Sequence, residues 1–370
     1  MKERFNLRRI GLALIAPVLA LVVAFIVTSL VLVAVGDPVG DVWAALLDRP
    51  RPRSIVNIIN SASVYYLSAI AVAVGFRMNL FNIGVDGQYR IATFAAALFA
   101  GNGWLPGPLN VAVAILIAMV TGGLWASIAA WLKVRRGVSE VISTIMLNAI
   151  SAGLVGWGLR TVGERAPGSN TISTREIPAS SQLEGFAWVP GATGKVFTLS
   201  LLAVVVGFVY WFVINRTRFG FDVRATGRSE TAAVASGVKV PRMVMGAMIA
   251  SGALAGLVGM PALFGLDHSY GLNFQSGIGF IGIGIALLGR NHPIGIAFAA
   301  LLWSYLDKSS DSLQLKAGVA PQLVFIIQGV ILFAVVIAYE VVRRIERRME
   351  QTEVARQLRT ERTEKEGAPA

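Results

Sequence analysis

The polar groups best placed to do chemistry lie in the run Asn79–Arg90, NLFNIGVDGQYR, where Asn82, Asp86 and Gln88 alternate with Gly84 and Gly87. Two amides and a carboxylate offer hydrogen-bond donors and acceptors, and no nucleophile with an adjacent base accompanies them. Glycines this close weaken a helix, and a helix broken within an apolar region leaves backbone groups that hydrocarbon cannot satisfy. The run reads either as an ordinary turn flanked by Arg77 and Arg90 or as a discontinuous helix against a protein-lined, wet cavity.

A second run, Gly271–Gly295, GLNFQSGIGFIGIGIALLGRNHPIG, places Gly277, Gly279, Gly282 and Gly284 ahead of a short apolar stretch ending at Leu288. Small residues admit close helix packing, so glycine enrichment alone points to packing. Its position is more informative. Each half of the chain carries one glycine-interrupted, undersized apolar segment followed by an apolar helix, the pattern of an internal repeat with a path at its interface.

A third segment lies in the polar stretch Asn215–Arg242. Ser229 is placed to N-cap a short helix over Glu230–Ser236, with Glu230 favourable in its first turn; Gly237 is a natural residue just past its end, and Pro241 stops continuation. Ala232, Ala233 and Ala235 leave one face smooth. The segment is a passive connector or a knob that docks into a partner's groove.

Other chemistries lack their residues. The chain has no cysteine, and its two histidines, His268 and His292, are too far apart for a recognisable metal-ligand pattern. There is no GxxxxGK[ST] phosphate loop and no Ser-His-Asp set. Asp86 and Glu140, both near ends of apolar runs, are the only carboxylates expected near membrane depth, which argues against a proton-coupled pump and for energy supplied by another subunit.

The elements that position these segments follow from composition. Of 370 residues, 55% are hydrophobic and 15% charged, and the mean hydropathy is +0.65. Soluble domains carry about 25% charged residues. The formal net charge is +12, but the basic residues sit between apolar runs rather than in a stripe for nucleic acid. About 20 apolar residues cross a bilayer as helix. Ile10–Val35, Ile55–Phe76, Val111–Leu132, Val138–Leu159, Val196–Ile214, Met243–Phe264 and Gln322–Val342 qualify; Ile91–Ala100, Phe274–Leu288 and Ile294–Leu306 are weaker. The first, after the basic Met1–Arg9, is too long for a signal peptide and reads as an uncleaved span.

The expected fold is an all-α, polytopic transmembrane helical bundle of about ten spans, with discontinuous helices and an internal repeat. Residues 1–345 would form the membrane domain and 346–370 a charged cytoplasmic tail that extends the last helix and then frays. Alternating direction puts both termini on one side, and the excess of Lys and Arg marks that side as cytoplasmic. Arg49, Arg51 and Arg53 run against this rule.

At these same segments the sequence resembles the permease family of bacterial ABC importers for simple sugars, branched-chain amino acids and nucleosides, and is most similar to the nucleoside (guanosine-type) branch. LFNIGVDGQ at Leu80–Gln88 matches the branch signature FNIGxEGQ, with Asp86 where Glu is usual. GVSEVISTIMLN at Gly137–Asn148 and GFIGIGIALLGRNHPIG at Gly279–Gly295 match two further blocks, and Arg216–Val238 resembles the cytoplasmic coupling segment.

The resemblance implies alternating access in a core of two permeases, a heterodimer rather than a homodimer, with two cytoplasmic ABC ATPase subunits and an external substrate-binding lipoprotein in the cytoplasmic (inner) membrane. No cofactor is expected in this chain; ATP and Mg belong to the partner ATPases, and the chain itself is not an enzyme. Along the substrate path the expected residues are Asn82, Gln88, Asp86, Gly84, Gly87, Gly279 and Phe280. Asn82 and Gln88 are the path-lining amides, and Asp86 holds the break in shape. At the ATPase contact they are Gly227, Ser229, Glu230, Ala232, Ala233 and Gly237. A nucleoside presents hydroxyls and base-edge donors and acceptors that amides match without charge. A sugar or branched-chain amino-acid permease, a secondary transporter and a membrane scaffold are the competing readings.

Overall fold

Apolar runs bounded by glycine, proline and charge become helices in the computed structural model, which describes residues 7–165 and 171–366. In chain order these are α1 (Leu7–Val35), α2 (Val39–Leu47), α3 (Pro52–Phe76), α4 (Val85–Asn102), α5 (Gly107–Arg136), α6 (Glu140–Val162), α7 (Ser200–Arg216), α8 (Arg218–Arg228), α9 (Glu230–Ala235), α10 (Val240–Gly256), α11 (Met260–Ala262), α12 (Ile278–Leu288), α13 (Pro293–Ala317) and α14 (Leu323–Glu366). A two-stranded antiparallel ribbon, Glu164–Arg165 with Ile172–Ser173, is the only sheet among the described residues. The protein is an all-α membrane bundle.

Each expected apolar segment falls on a helix. Five described helices are long and apolar enough to cross a membrane, or six if the bent pair α7–α8 counts as one span. The count of about ten therefore does not come from full-length crossings alone. α12 has 11 residues because Gly277, at φ +83°, breaks the chain just before it. α7 begins at Ser200 rather than Val196 because Val196 pairs with Phe186 in the preceding loop.

Two compact units divide the chain: residues 49–308, and residues 1–48 with 309–370. In the first, α3 is the axis. Its most apolar stretch is 83% buried, so helices surround it and its apolar surface continues all round. α5 and α10 meet along a seam of small residues, Ala118, Gly122 and Ala126 against Gly252 and Gly256, where a Cβ on either glycine of α10 would overlap the facing helix. Where lipid and side chains are equally apolar, such close backbone contact is what holds helices together.

In the second unit α1 packs on α14. Phe25 and Trp43 pack with tilted rings, centroids 4.6 Å apart, and the Trp43 indole N–H donates to Ser29 Oγ at 3.0 Å. α14 continues unbroken to Glu366 where fraying was expected. Residues 1–6 and 367–370, with the basic start Lys2 and Arg4 and the end of the tail, lie outside the described residues.

Candidate functional site

α3 ends at Phe76, and the chain doubles back through residues 77–84 before α4 begins. Leu80 N–H returns to Gly75 O at 3.0 Å, and Asn79 takes the left-handed conformation at φ +59°. The freed backbone groups are taken up by side chains. Gly84 N–H donates to Asn82 Oδ1 at 3.1 Å, and Gly87 N–H to Asn148 Oδ1 at 2.9 Å. Asn148 Nδ2 in turn donates to Ile83 O at 3.0 Å. Asn148 thus replaces the missing helical partners from α6. Gly84 is the residue preceding α4, and Gly87 lets α4 approach α6, where a Cβ would crowd Asn148 and Ser151.

Asn82 and Gln88 form a reciprocal amide pair. Asn82 Nδ2 donates to Gln88 Oε1 and Gln88 Nε2 donates to Asn82 Oδ1, each at 3.0 Å. The second Asn82 N–H goes to Ser251 Oγ at 2.8 Å, and Ser251 Oγ donates to Ala71 O on α3 at 2.6 Å. Both amides are buried, and every side-chain hydrogen-bonding position of Asn82 is used. The sequence reading has them face a wet path; here both side chains point at protein partners. In this conformation they lock the break to α10 and α3 through Ser251, and a fully satisfied buried network of this kind rigidifies the fold around it.

The second break follows α10 and α11. A π-helical turn over Leu263–Asp267 ends at His268, left-handed at φ +50°, and the chain is irregular until α12 starts at Ile278. The long loop after α6 laces onto it: Thr174 N–H donates to Tyr270 O at 2.9 Å, Ile177 N–H to His268 O at 2.8 Å and Leu183 N–H to Phe264 O at 3.0 Å. Tyr270 lies between Phe94 and Phe274, with centroids 5.7 and 4.8 Å away.

The two breaks meet. Asp86, in the first turn of α4, is buried and accepts the Gly279 N–H at 3.2 Å, with Arg90 Nη1 at 3.9 Å from its other oxygen. The Tyr89 hydroxyl donates to Gln275 O, and Ser68 Oγ of α3 to Ile278 O at 2.9 Å. One carboxylate therefore serves the N-terminal partial charges of both α4 and α12. Gly279 is required by this approach, since a Cβ would overlap the Asp86 backbone. Phe280 turns the other way, 51% exposed, and the polar Gln275 and Ser276 are exposed just before it.

At the other end of α12, α7 bends by 72° into α8. The Thr217 side chain caps α8 by accepting the Gly220 N–H at 3.1 Å. Ser229 Oγ accepts the Ala232 N–H at 3.3 Å and begins α9, one residue shorter than expected. Gly237, at φ +82°, closes it, with Val238 N–H on Ala233 O at 3.0 Å. Glu230, Ala232, Val234 and Ala235 are exposed, whereas Ala233 is 2% exposed. Ala233 therefore does not belong to the exposed smooth face: it is the residue through which this short helix rests on its own chain. Gly227 lies against the Arg77 carbonyl, where a Cβ would overlap. Arg77 Nη2 donates to Asn291 O at 2.6 Å and the Tyr210 hydroxyl to the same oxygen at 2.8 Å. The α8 end, the first break and the end of α12 are thus joined through Arg77.

Sequence reasoning missed Asn148, Ser251, Ser68, Tyr210 and Asn291. The available signal was an isolated amide or hydroxyl within an apolar run, which in lipid needs a partner. Among the described residues no group of His, Asp and Glu is arranged to hold a metal.

Residues 54–336 match the family described as branched-chain amino acid transport system / permease component. The chain is 29% identical over 336 residues to the guanosine ABC transporter permease protein NupP of Bacillus subtilis (strain 168), covering 89% of this chain and 94% of that one. To the nucleoside ABC transporter permease protein NupB of Lactococcus lactis it is 29% identical over 88% of this chain and 91% of that one. To the glucose ABC transporter permease protein TsgB13 of Haloferax volcanii it is 30% identical over 86% of each. A family match across most of the chain, laid over the two interlocked helix breaks, means that this protein belongs to the permease components of ABC transport systems, as a multi-pass membrane protein.

Proposed function

We propose that this chain is the permease subunit of an ABC importer that carries nucleosides by alternating access, with ATP and Mg bound and ATP hydrolysed in separate cytoplasmic subunits and not in this chain. The observation that carries the reading is the meeting of α4 and α12 at Asp86. Among the described residues the carboxylate at the junction, Asp86, is already engaged with Gly279 and paired with Arg90, so amides, hydroxyls and backbone groups are left to meet a solute there. A neutral, hydroxyl-rich solute suits them. The nucleoside and guanosine permeases among its relatives support the same substrate class.

In this reading Asn82, Gly84, Asp86, Gly87, Gln88 and Gly279 hold the shape of the path, and Phe280, with Gln275 and Ser276, lines it. Ser229, Glu230, Ala232, Gly237 and Gly227 form or seat the ATPase contact, with Ala233 beneath. The chain pairs with a different second permease and receives solute from an external substrate-binding lipoprotein. Residues 1–345 lie in the cytoplasmic membrane, and the tail 346–370 and the N-terminus face the cytoplasm.

The test is competition in cells expressing the full system. Guanosine and other nucleosides should suppress uptake of a labelled nucleoside, and leucine and free sugars should not. The glucose permease relative supports a second reading, a sugar importer. Competition by glucose and not by nucleosides would select it.

A further inference from the structure

A cavity of about 850 Å³ opens between α8, α9 and the first turn of α10. Its lining carries Arg218, Arg224, Arg228, Lys239 and Arg242 against one carboxylate, Asp222. Among the described residues none of the five cations forms an ion pair. One guanidinium nitrogen of Arg224, Nη1, is buried with no acceptor. Like charges gathered around a concave surface repel, and a buried guanidinium N–H without a partner is destabilising, so the arrangement lacks its anion.

We propose that this cavity receives carboxylate side chains of the ATPase partner, so that the permease is itself a socket beside the α9 knob. The inference rests on the importer reading above. Charge complementarity requires an anion, and the surroundings select a protein as its source. Phe221, 60% exposed, lines the cavity beside the cations, and Val234, equally exposed, lies on α9. An apolar contact next to charge-assisted hydrogen bonds is the make-up of a protein interface. The exposed side chains of α9 are Glu230, which is charged, and Thr231, Ala232, Val234 and Ala235, which are too small to anchor in acyl chains as a lipid-binding helix does. Because Gly227 of α8 lies on the Arg77 carbonyl, carboxylates gripping Arg224 and Arg228 would pull on the first helix break directly.

The tagged full-length chain, purified in mild detergent from its own membranes, is assayed for ATP hydrolysis retained on the resin. Wild type should retain it, and retention should fall as salt rises, because screening weakens exposed charge pairs. The triple variant Arg224→Gln, Arg228→Gln, Arg242→Gln should lose about tenfold or more. The variant with Lys at the same positions should keep most of it at low salt, which separates charge from folding. Undiminished retention by the Gln variant, or by wild type at high salt, would overturn the proposal. So would loss of co-purified anionic phospholipid by the Gln variant with ATPase retention intact, which would assign the socket to lipid. Absence of any ATPase on wild type would instead overturn the importer reading, and this proposal with it.

Discussion

The Asp86 carboxylate accepts the Gly279 N–H at 3.2 Å across the junction of two helix N-termini that lie 193 residues apart in the chain. α12 is about 16 Å long, roughly half the hydrocarbon thickness, and Ile278 and Gly279 at its start are buried. There its unpaired N–H groups need an acceptor, and α4 brings one.

Removing that acceptor should cost folded protein before it costs selectivity. Asp86→Ala leaves buried N–H groups unpaired, a loss of about 1–3 kcal/mol, and Asp86→Asn, which keeps an acceptor oxygen, should recover much of it. Gly279→Ala should be at least as damaging, because its Cβ meets backbone. Thermal unfolding of detergent-purified protein reads all three, and a fully stable Asp86→Ala would remove the carboxylate from this role.

The amide pair makes a coupled prediction. Asn82→Ala and Gln88→Ala should each destabilise by about 1–3 kcal/mol, and the double variant by clearly less than their sum, since either change orphans the other amide. A double-mutant cycle measures this. Additive losses would mean that the two side chains act separately and that the path-lining role returns to them.

Orientation is testable because the chain has no native thiol. Ser173 is half-buried in the short ribbon, so exposed positions serve better. Ser180→Cys should react with an impermeant thiol reagent in intact cells, and Ala235→Cys only after permeabilisation. The reverse pattern would invert the bundle.

The knob and its seat separate by substitution. Ala235→Trp places bulk on the exposed side of α9 and should abolish uptake while the protein inserts normally. Ala233→Trp, at a position 2% exposed, should lower the amount of folded protein, as overpacking does. Normal uptake by the Ala235 variant would take α9 out of the ATPase contact. Ser229→Ala should loosen α9 by about 1 kcal/mol, seen as faster amide exchange across Glu230–Ala235.

What the sequence determined by itself was local. Apolar run length placed every expected crossing segment on a helix, and Ser229 and Gly237 marked the ends of α9 to within a residue, because hydropathy and capping act over a few neighbouring residues. The NIGVDGQ run announced a break for the same reason: two glycines and buried polar groups conflict with an apolar helix wherever they sit. Tertiary structure decided where the polar groups point. An amide in a break can meet a solute, water or another amide with equal chemistry, and it is the arrival of Ser251 from α10, beside the reciprocal bonds between Asn82 and Gln88, that turned them toward the protein. It also decided which alanine of α9 is covered, since a helix face of small side chains carries no amphipathic signal. The contact of Gly227 with Arg77, 150 residues away, depends on backbone meeting backbone, and no pattern of side-chain types records that.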